Sequence, residues 1–239
     1  MNKRYSISVI LPAYNEKGNI EKLIEETSDF LSIQDTLDSY EIIVVDDGSR
    51  DNTAEIIRGL VSKNIYLKLI SHCKNLGYGK ALMSGVKNAQ YPLILFMDAD
   101  GQFKIDNLNE MLNYILIYDI IVGYRYKRKD PLYRIGLGKI YTLLSCFFLG
   151  LNFKDINCGF KLFKRETIDH DYKFVRGLFY TEVLLKAKNK DFRIKEIPVR
   201  HFPRLRGKQS GASLKVIFTT IIDLGRLAFF LAKDKIKNL

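Results

Sequence analysis

Within the first hundred residues, four short apolar runs alternate with amphipathic stretches, and each run breaks off into a polar segment. Ile7–Leu11 leads into "PAYNE", Glu41–Asp46 into "DDGSRDNT", Tyr66–Ser71 into "HCKNLGYGKA" and Leu93–Asp98 into "DADGQ". A fifth run, Ile120–Gly123, follows them. Between the runs, "NIEKLIEETSDFL" and "NTAEIIRGLVSK" carry apolar residues at helical spacing. Strand–helix–strand alternation demands crossover connections, so it predicts an α/β fold with a mainly parallel sheet flanked by helices. Ligand sites in such sheets lie beyond the carboxyl ends of the strands. Simple turns would serve a purely structural domain, so four polar, mostly Gly-containing ends point to a site.

Composition narrows the class. The chain has 239 residues, 47% hydrophobic and 27% charged, which is globular and large enough for a sizeable core. Its opening, "MNKRYSISVILPAYNE", holds an apolar run too short for a secretory signal. Three cysteines, Cys73, Cys146 and Cys158, lack metal-site spacing and an even count, which favours a reducing compartment and free thiols. The uncharged run 140–153 falls short of the ~20 residues of a bilayer crossing.

The net charge of +11 is unevenly placed. Residues 1–120 hold 12 Lys and Arg against 17 Asp and Glu, whereas residues 121–239 hold 26 against 10. The basic residues cluster in "GYRYKRKD" and "RHFPRLRGKQS", beside apolar segments, and suggest an anionic partner such as a lipid surface or a phosphorylated substrate. A nucleic acid is disfavoured by the acidic first half and by the lack of a recognisable binding module.

The most specific chemistry lies in "FMDADGQF". Two carboxylates one residue apart repel each other unless a cation stands between them. Asp98 and Asp100, with Gln102 as a neutral oxygen, form a donor set suited to Mg²⁺ or Mn²⁺ completed by substrate phosphates. No G-x-x-x-x-G-K-[ST] loop is present, and no G-x-G-x-x-G follows the first strand.

Taken in order, "SVILPAYNE", "VVDDGSRDNT", "NLGYGKALMSGVKNA", "FMDADGQF", "GYR" and "DINCGFKLF" resemble the family 2 glycosyltransferases of the GT-A (Rossmann-like) fold. Within them the chain is similar to the branch that makes polyprenyl-phosphate sugars, over about Ser8–Gly211. The resemblance implies metal-dependent, inverting transfer of a sugar from a UDP- or GDP-sugar to undecaprenyl or dolichyl phosphate. It implies that Pro12, Tyr14 and Glu16 line the base and ribose pocket and that Asp46 hydrogen-bonds the base. Asp98, Asp100 and Gln102 would hold metal and diphosphate, Asp98 also serving the nucleotide. Asp100 and Arg125 would be the catalytic pair, with Arg125 meeting phosphate charge. Arg134 is a candidate for the acceptor phosphate, and Arg204 would lie on a loop closing over the donor and is a second acceptor-phosphate candidate. The expected division is a GT-A domain over 1–212, with a nucleotide-sugar half (1–120) and an acceptor half (121–212), then a C-terminal amphipathic helix over 213–239.

Relatives often carry Ser one turn after the Arg134 position, where this chain has Gly138. Many bacterial relatives also end in transmembrane helices, which this sequence does not show. In Ser213–Lys233 a narrow polar stripe of Lys215, Thr219, Asp223 and Arg226 fits an interfacial helix on the cytoplasmic membrane face; packing on the domain or on a partner fits it too. A homo-oligomer or a membrane-protein partner stays open. Transfer to a glycan hydroxyl is the rival reading. It would require a carboxylate base, for which Asp155 and Glu182 are candidates. A non-catalytic nucleotide-sugar-binding protein is a third, argued against by the complete metal set. Asp47 and Ser49 are expected to serve the turn and cap of the following helix. His72 and His201 lack partners at metal or triad spacing and are assigned no role, and Cys158 reads as a packed small residue.

Overall fold

The strand runs become a single mixed sheet in a computed structural model, which describes residues 4–169, 171–174, 176–204, 206–207, 222–225 and 227. In chain order the elements are β1 (Tyr5–Ala13), α1 (Ile20–Ser32), β2 (Leu37–Asp46), α2 (Thr53–Val61), β3 (Leu67–Ser71), α3 (Tyr78–Asn88) and β4 (Leu93–Phe96). They continue with α4 (Asn107–Leu112), β5 (Ile120–Tyr126), α5 (Leu132–Leu149), β6 (Lys161–Lys164), α6 (Phe179–Asn189) and β7 (Ile194–Arg200).

The sheet order is β3-β2-β1-β4-β6-β5-β7. β1 pairs in parallel with β2 and β4, β2 with β3, and β5 with β7; β6 runs antiparallel between β4 and β5. The mainly parallel expectation therefore holds, with one reversed strand inserted. β6 comes from the basic half of the chain and pairs directly with β4, so both halves share one sheet. Strand order reverses around β1, and the crevice at such a switch point is where ligands bind. Asp98, Asp100 and the segment after β1 all stand at this edge.

Alternation along the strands builds the two cores. In β1, Ile7, Val9 and Leu11 face one helical layer and Ile10 the other; in β2, Ile42 and Val44 oppose Ile43 and Val45. In β4, Leu93 and Leu95 oppose Ile94 and Phe96. Period-two side chains on a sheet covered on both faces produce this split.

Several elements were not legible as such, β6, β7 and α3 among them. β6 is four residues long with a lysine at each end, and β7, "IKEIPVR", mixes charge and proline into its alternation. α3 contains Gly79 and Gly85, poor helix formers, and packs so closely that a Cβ at Gly85 would overlap Ile10. Of the expected C-terminal helix, residues 222–225 and 227 are described and helical. Leu224 and Leu227 are buried in the cluster containing Ile10 and Phe96, while Ile222 is exposed. The rest of that segment, with Lys215, Thr219 and Arg226, lies outside the described residues.

Candidate active site

β4 ends at Phe96, and the chain then delivers Asp98 and Asp100 to the switch-point edge. The Asp98 carboxylate lies against Gly159, where any Cβ would overlap it, and its Oδ1 accepts a 2.5 Å hydrogen bond from the Tyr78 hydroxyl. Asp100 Oδ1 accepts the Gln102 backbone N–H at 3.0 Å. Burial, then the neighbouring Asp98 charge, pushes the Asp100 carboxyl up to about 6. Arg204 donates to both oxygens of Glu16, at 2.6 and 2.8 Å, and reaches Asp100 Oδ2 at 3.4 Å. Even so, burial raises the Glu16 carboxyl above its ordinary range. Two acidic side chains, Glu16 and Asp100, thus gather around one guanidinium, with Asp98 beside Asp100; the paired carboxylates of Asp98 and Asp100 suit a divalent cation completed by diphosphate oxygens. Among the described residues no third His, Cys, Asp or Glu joins Asp98 and Asp100 at metal spacing, which leaves the remaining positions to ligand oxygens and water.

Beside this acidic group stands a basic one. At the end of β5, Arg125 donates through Nε and Nη2 to Asp155, at 2.6 and 2.7 Å. Asp130 lies under three guanidiniums: Arg128 Nε at 2.5 Å, Arg134 Nη1 at 3.6 Å and Arg125 Nη1 at 3.9 Å. His201 Nε2 is 3.9 Å from the same carboxylate. Three arginines against two carboxylates leave excess positive charge, which suits a phosphate. The two groups are electrostatic neighbours, since Asp98 feels the charge of Arg125 and Asp100 that of Asp130.

The structure brings Glu16, Asp98, Asp100 and Arg204 together, with Arg125 and Arg134 alongside. Pro12, Tyr14 and Asp46 sit at the ends of β1 and β2, where Ala13 pairs with Asp46, and Asp46 Oδ1 accepts the Ser49 N–H at 3.2 Å. Gln102 is buried and fastened to the exit of β7: its Nε2 donates to the Phe202 carbonyl at 3.2 Å, and its own carbonyl accepts the Phe202 N–H.

Several expectations change. Asp47 does not cap α2; its carboxylate accepts the Leu76 and Gly77 N–H groups of the β3–α3 loop, both at 2.9 Å. Asp51 takes the Thr53 N–H instead, and Ser49 Oγ accepts the Asn15 N–H. His72, given no role from its spacing, contacts Asp47 Oδ1 at 2.8 Å and Ser84 Oγ at 2.9 Å, which ties α3 to the end of β2. Neither candidate base suits the task. Burial raises the Asp155 carboxyl, but the hydrogen bonds and charge of Arg125, together with the charges of Lys161 and Arg128, hold it below its usual range. Glu182 accepts the Lys173 and Phe174 N–H groups at 3.0 and 2.8 Å. Cys158 is fully buried, and burial pushes its thiol up to about 12.

Sequence reading passed over Arg128, Asp130, Tyr78, Tyr180 and Lys161. A signal for Arg128 existed in Gly138: a Cβ there would stand 2.6 Å from Arg128 Nη1, so the missing side chain makes room for that guanidinium. Tyr78 and Lys161 lie inside two of the quoted motifs, but a hydroxyl and an ammonium buried among apolar residues carry no local pattern.

A model of glycosyl transferase family 2 matches residues 8–171. A dolichyl-phosphate beta-glucosyltransferase of Trichomonas vaginalis is 34% identical over 210 residues, covering 80% of this chain and 62% of that protein. An undecaprenyl-phosphate 4-deoxy-4-formamido-L-arabinose transferase of Pseudomonas fluorescens is 23% identical over 217 residues, covering 89% and 62%. The chain therefore spans less than two thirds of the length of these two relatives. Glucosyl-3-phosphoglycerate synthase from Mycobacterium tuberculosis, crystallised with Mn²⁺ and UDP-glucose, has the same fold, with a TM-score of 0.65 at 22% identity over 92% of this chain and 79% of that one. With this match over most of its sheet, and with relatives named for dolichyl-phosphate and undecaprenyl-phosphate sugar transfer, the chain belongs to glycosyl transferase family 2.

Proposed function

We propose that this chain transfers a sugar from a UDP- or GDP-sugar to a polyprenyl phosphate, aided by Mg²⁺ or Mn²⁺ and with inversion. The observation that carries this reading is the juxtaposition of the Asp98–Asp100–Glu16 group with the Arg125–Arg128–Arg134 group at one sheet edge. The names of the relatives support it, as do Mn²⁺ and UDP-glucose in the structural neighbour.

Asp98 and Asp100 would hold the metal and Gln102 is a candidate third donor; when bound, the ion neutralises charge on the leaving diphosphate. Pro12, Tyr14, Glu16 and Asp46 would frame the nucleoside, and Arg204 the closing loop. A phosphate monoester has a second pKa near ~6, so the acceptor is already anionic at neutral pH and needs no general base. Its oxygen bonds to the anomeric carbon as the bond from that carbon to the diphosphate oxygen breaks. Arg125, fixed by Asp155, orients the nucleophile together with Arg128 and Arg134, and positioning is the larger part of the catalysis. A sugar hydroxyl would need a free carboxylate, and both Asp155 and Glu182 are engaged, which disfavours a glycan acceptor.

The acceptor phosphate also explains α5. Leu132, Tyr133, Ile140, Leu143, Phe147 and Phe148 are all exposed, and only Thr142, Ser145 and Leu149 of the helix are buried. Its 18 residues span about 27 Å, longer than the uncharged run because Arg134 and Lys139 lie within it. By length and composition α5 could cross a bilayer, yet an apolar surface starting at the arginine group fits a helix lying in the interface of the cytoplasmic membrane face. Three unpaired cysteines agree with that compartment.

The deciding experiment is transfer of radiolabelled sugar from UDP- and GDP-sugars to undecaprenyl phosphate in detergent, with Mg²⁺ or Mn²⁺. Label in the organic phase that disappears with EDTA is expected. Label confined to water-soluble glycan would overturn the acceptor assignment.

A further inference from the structure

Lys161 is fully buried, the only lysine so placed among the described residues. Its ammonium donates to the carbonyls of Ile156, at 2.9 Å, and Cys158. It also lies 3.6 Å from the centre of the Tyr180 ring. Burial lowers this amine to about 8. An ammonium removed from water is costly unless it is paired and hydrogen-bonded, and the mechanism above gives this one nothing to do.

From Lys161 the contacts run in one direction. The Tyr180 hydroxyl meets the Tyr78 hydroxyl at 2.7 Å, and Tyr78 donates to Asp98 Oδ1 at 2.5 Å. A phenol has one proton. Tyr78 gives its proton to Asp98, so it must accept from Tyr180. Each donor therefore points towards the Asp98 carboxylate, with the Lys161 charge on the ring face at the far end, and hydrogen bonds in series polarise one another. On the other side, the two carbonyls held by Lys161 belong to the turn carrying Asp155 and Gly159. Asp155 fixes Arg125, and Gly159 forms the wall against Asp98.

We propose that Tyr78 is a positioning residue for Asp98, held in place by Tyr180 and Lys161, and that this buried chain fixes the Asp98 carboxylate for metal and diphosphate. The inference rests on the reading of Asp98 as a metal ligand. Hydrogen-bond partners of metal ligands are worth roughly 10–100-fold in metal affinity.

The test is Mn²⁺ titration followed by electron paramagnetic resonance, with UDP and GDP in separate arms, on wild type, Tyr78→Phe, Tyr180→Phe and the double variant. Tyr78→Phe keeps the ring and removes only the hydroxyl, and its circular dichroism and Tm report whether it folds. Expected are Mn²⁺ binding at least ~10-fold weaker in Tyr78→Phe, a smaller loss in Tyr180→Phe, and no further loss in the double variant, because Tyr180 acts through Tyr78. Nucleotide binding without Mn²⁺ stays unchanged. Wild-type affinity retained within twofold in Tyr78→Phe, or additive losses in the double variant, would overturn the positioning role and leave Asp98 as a ligand. A wild type that binds no Mn²⁺ in either arm would overturn the reading of Asp98 and this inference with it.

Discussion

Arg204 and Glu16 stand 188 positions apart in the chain, and the guanidinium of one grips both carboxylate oxygens of the other, at 2.6 and 2.8 Å. The same guanidinium is 3.4 Å from Asp100. It therefore supplies the positive charge that this acidic group requires without a divalent ion. Arg204→Ala should lower Tm in the metal-free protein and enlarge the rise in Tm that Mn²⁺ produces, since the ion then neutralises carboxylates left without the Arg204 counter-charge. Differential scanning fluorimetry with and without Mn²⁺ reads both, and an equal Mn²⁺ response in variant and wild type would refute the competition.

Asp100→Ala tests the proposed metal clamp. Losing a group that stabilises charge at the reacting centre costs about 100-fold or more in kcat. Transfer of label to the organic phase should fall by that factor with unchanged circular dichroism. Undiminished transfer removes Asp100 from the mechanism.

Gly138→Ala places a Cβ 2.6 Å from Arg128 Nη1. The atom in the way ends a flexible side chain, so the guanidinium swings aside and the fold persists, as circular dichroism would report. A hydrogen bond to a charged group contributes about 1.5 kcal/mol or more, so the KM for polyprenyl phosphate should rise roughly 10-fold while that for the nucleotide-sugar stays put. If both KM values move together, Arg128 does not serve the acceptor.

On α5, Phe147→Glu combined with Phe148→Glu should abolish co-sedimentation with vesicles of phosphatidylglycerol and phosphatidylcholine. Both rings are largely exposed, so the fold should persist. Undiminished sedimentation would assign membrane contact elsewhere.

His201 gives a pH dependence with a definite sign. Burial lowers this imidazole to about 4, and its Nδ1 accepts the Lys129 N–H, as a neutral ring can; Asp130, Arg125, Arg128 and Asp155 are the charged groups that face it. The unfolded chain binds a proton near its ordinary pKa of ~6.5 and the folded chain only near 4, so stability present above pH 6.5 is lost as pH falls towards 4. The full separation corresponds to an upper bound on the order of 3 kcal/mol. His201→Gln should flatten the fall in Tm over that window, whereas parallel curves for variant and wild type would assign the acid sensitivity to other groups.

The alternation of apolar runs and amphipathic stretches determined the α/β class, because period-two and helical spacing are local properties that each segment carries alone. Asp98 and Asp100 were legible for the same reason: two acids at one strand end are unusual whatever surrounds them. Tertiary structure decided what those residues meet. β6 inserts antiparallel between β4 and β5, a pairing that no local pattern in "KLFK" encodes, and this brings Lys161 and Gly159 beneath Asp98. Asp155, a candidate base by residue type, became the anchor of Arg125 once β5 and the turn before β6 were side by side. Carboxylates and phenols take their roles from partners within about 3 Å, and for Glu16, Tyr78 and Asp155 those partners lie 188, 20 and 30 positions away along the chain.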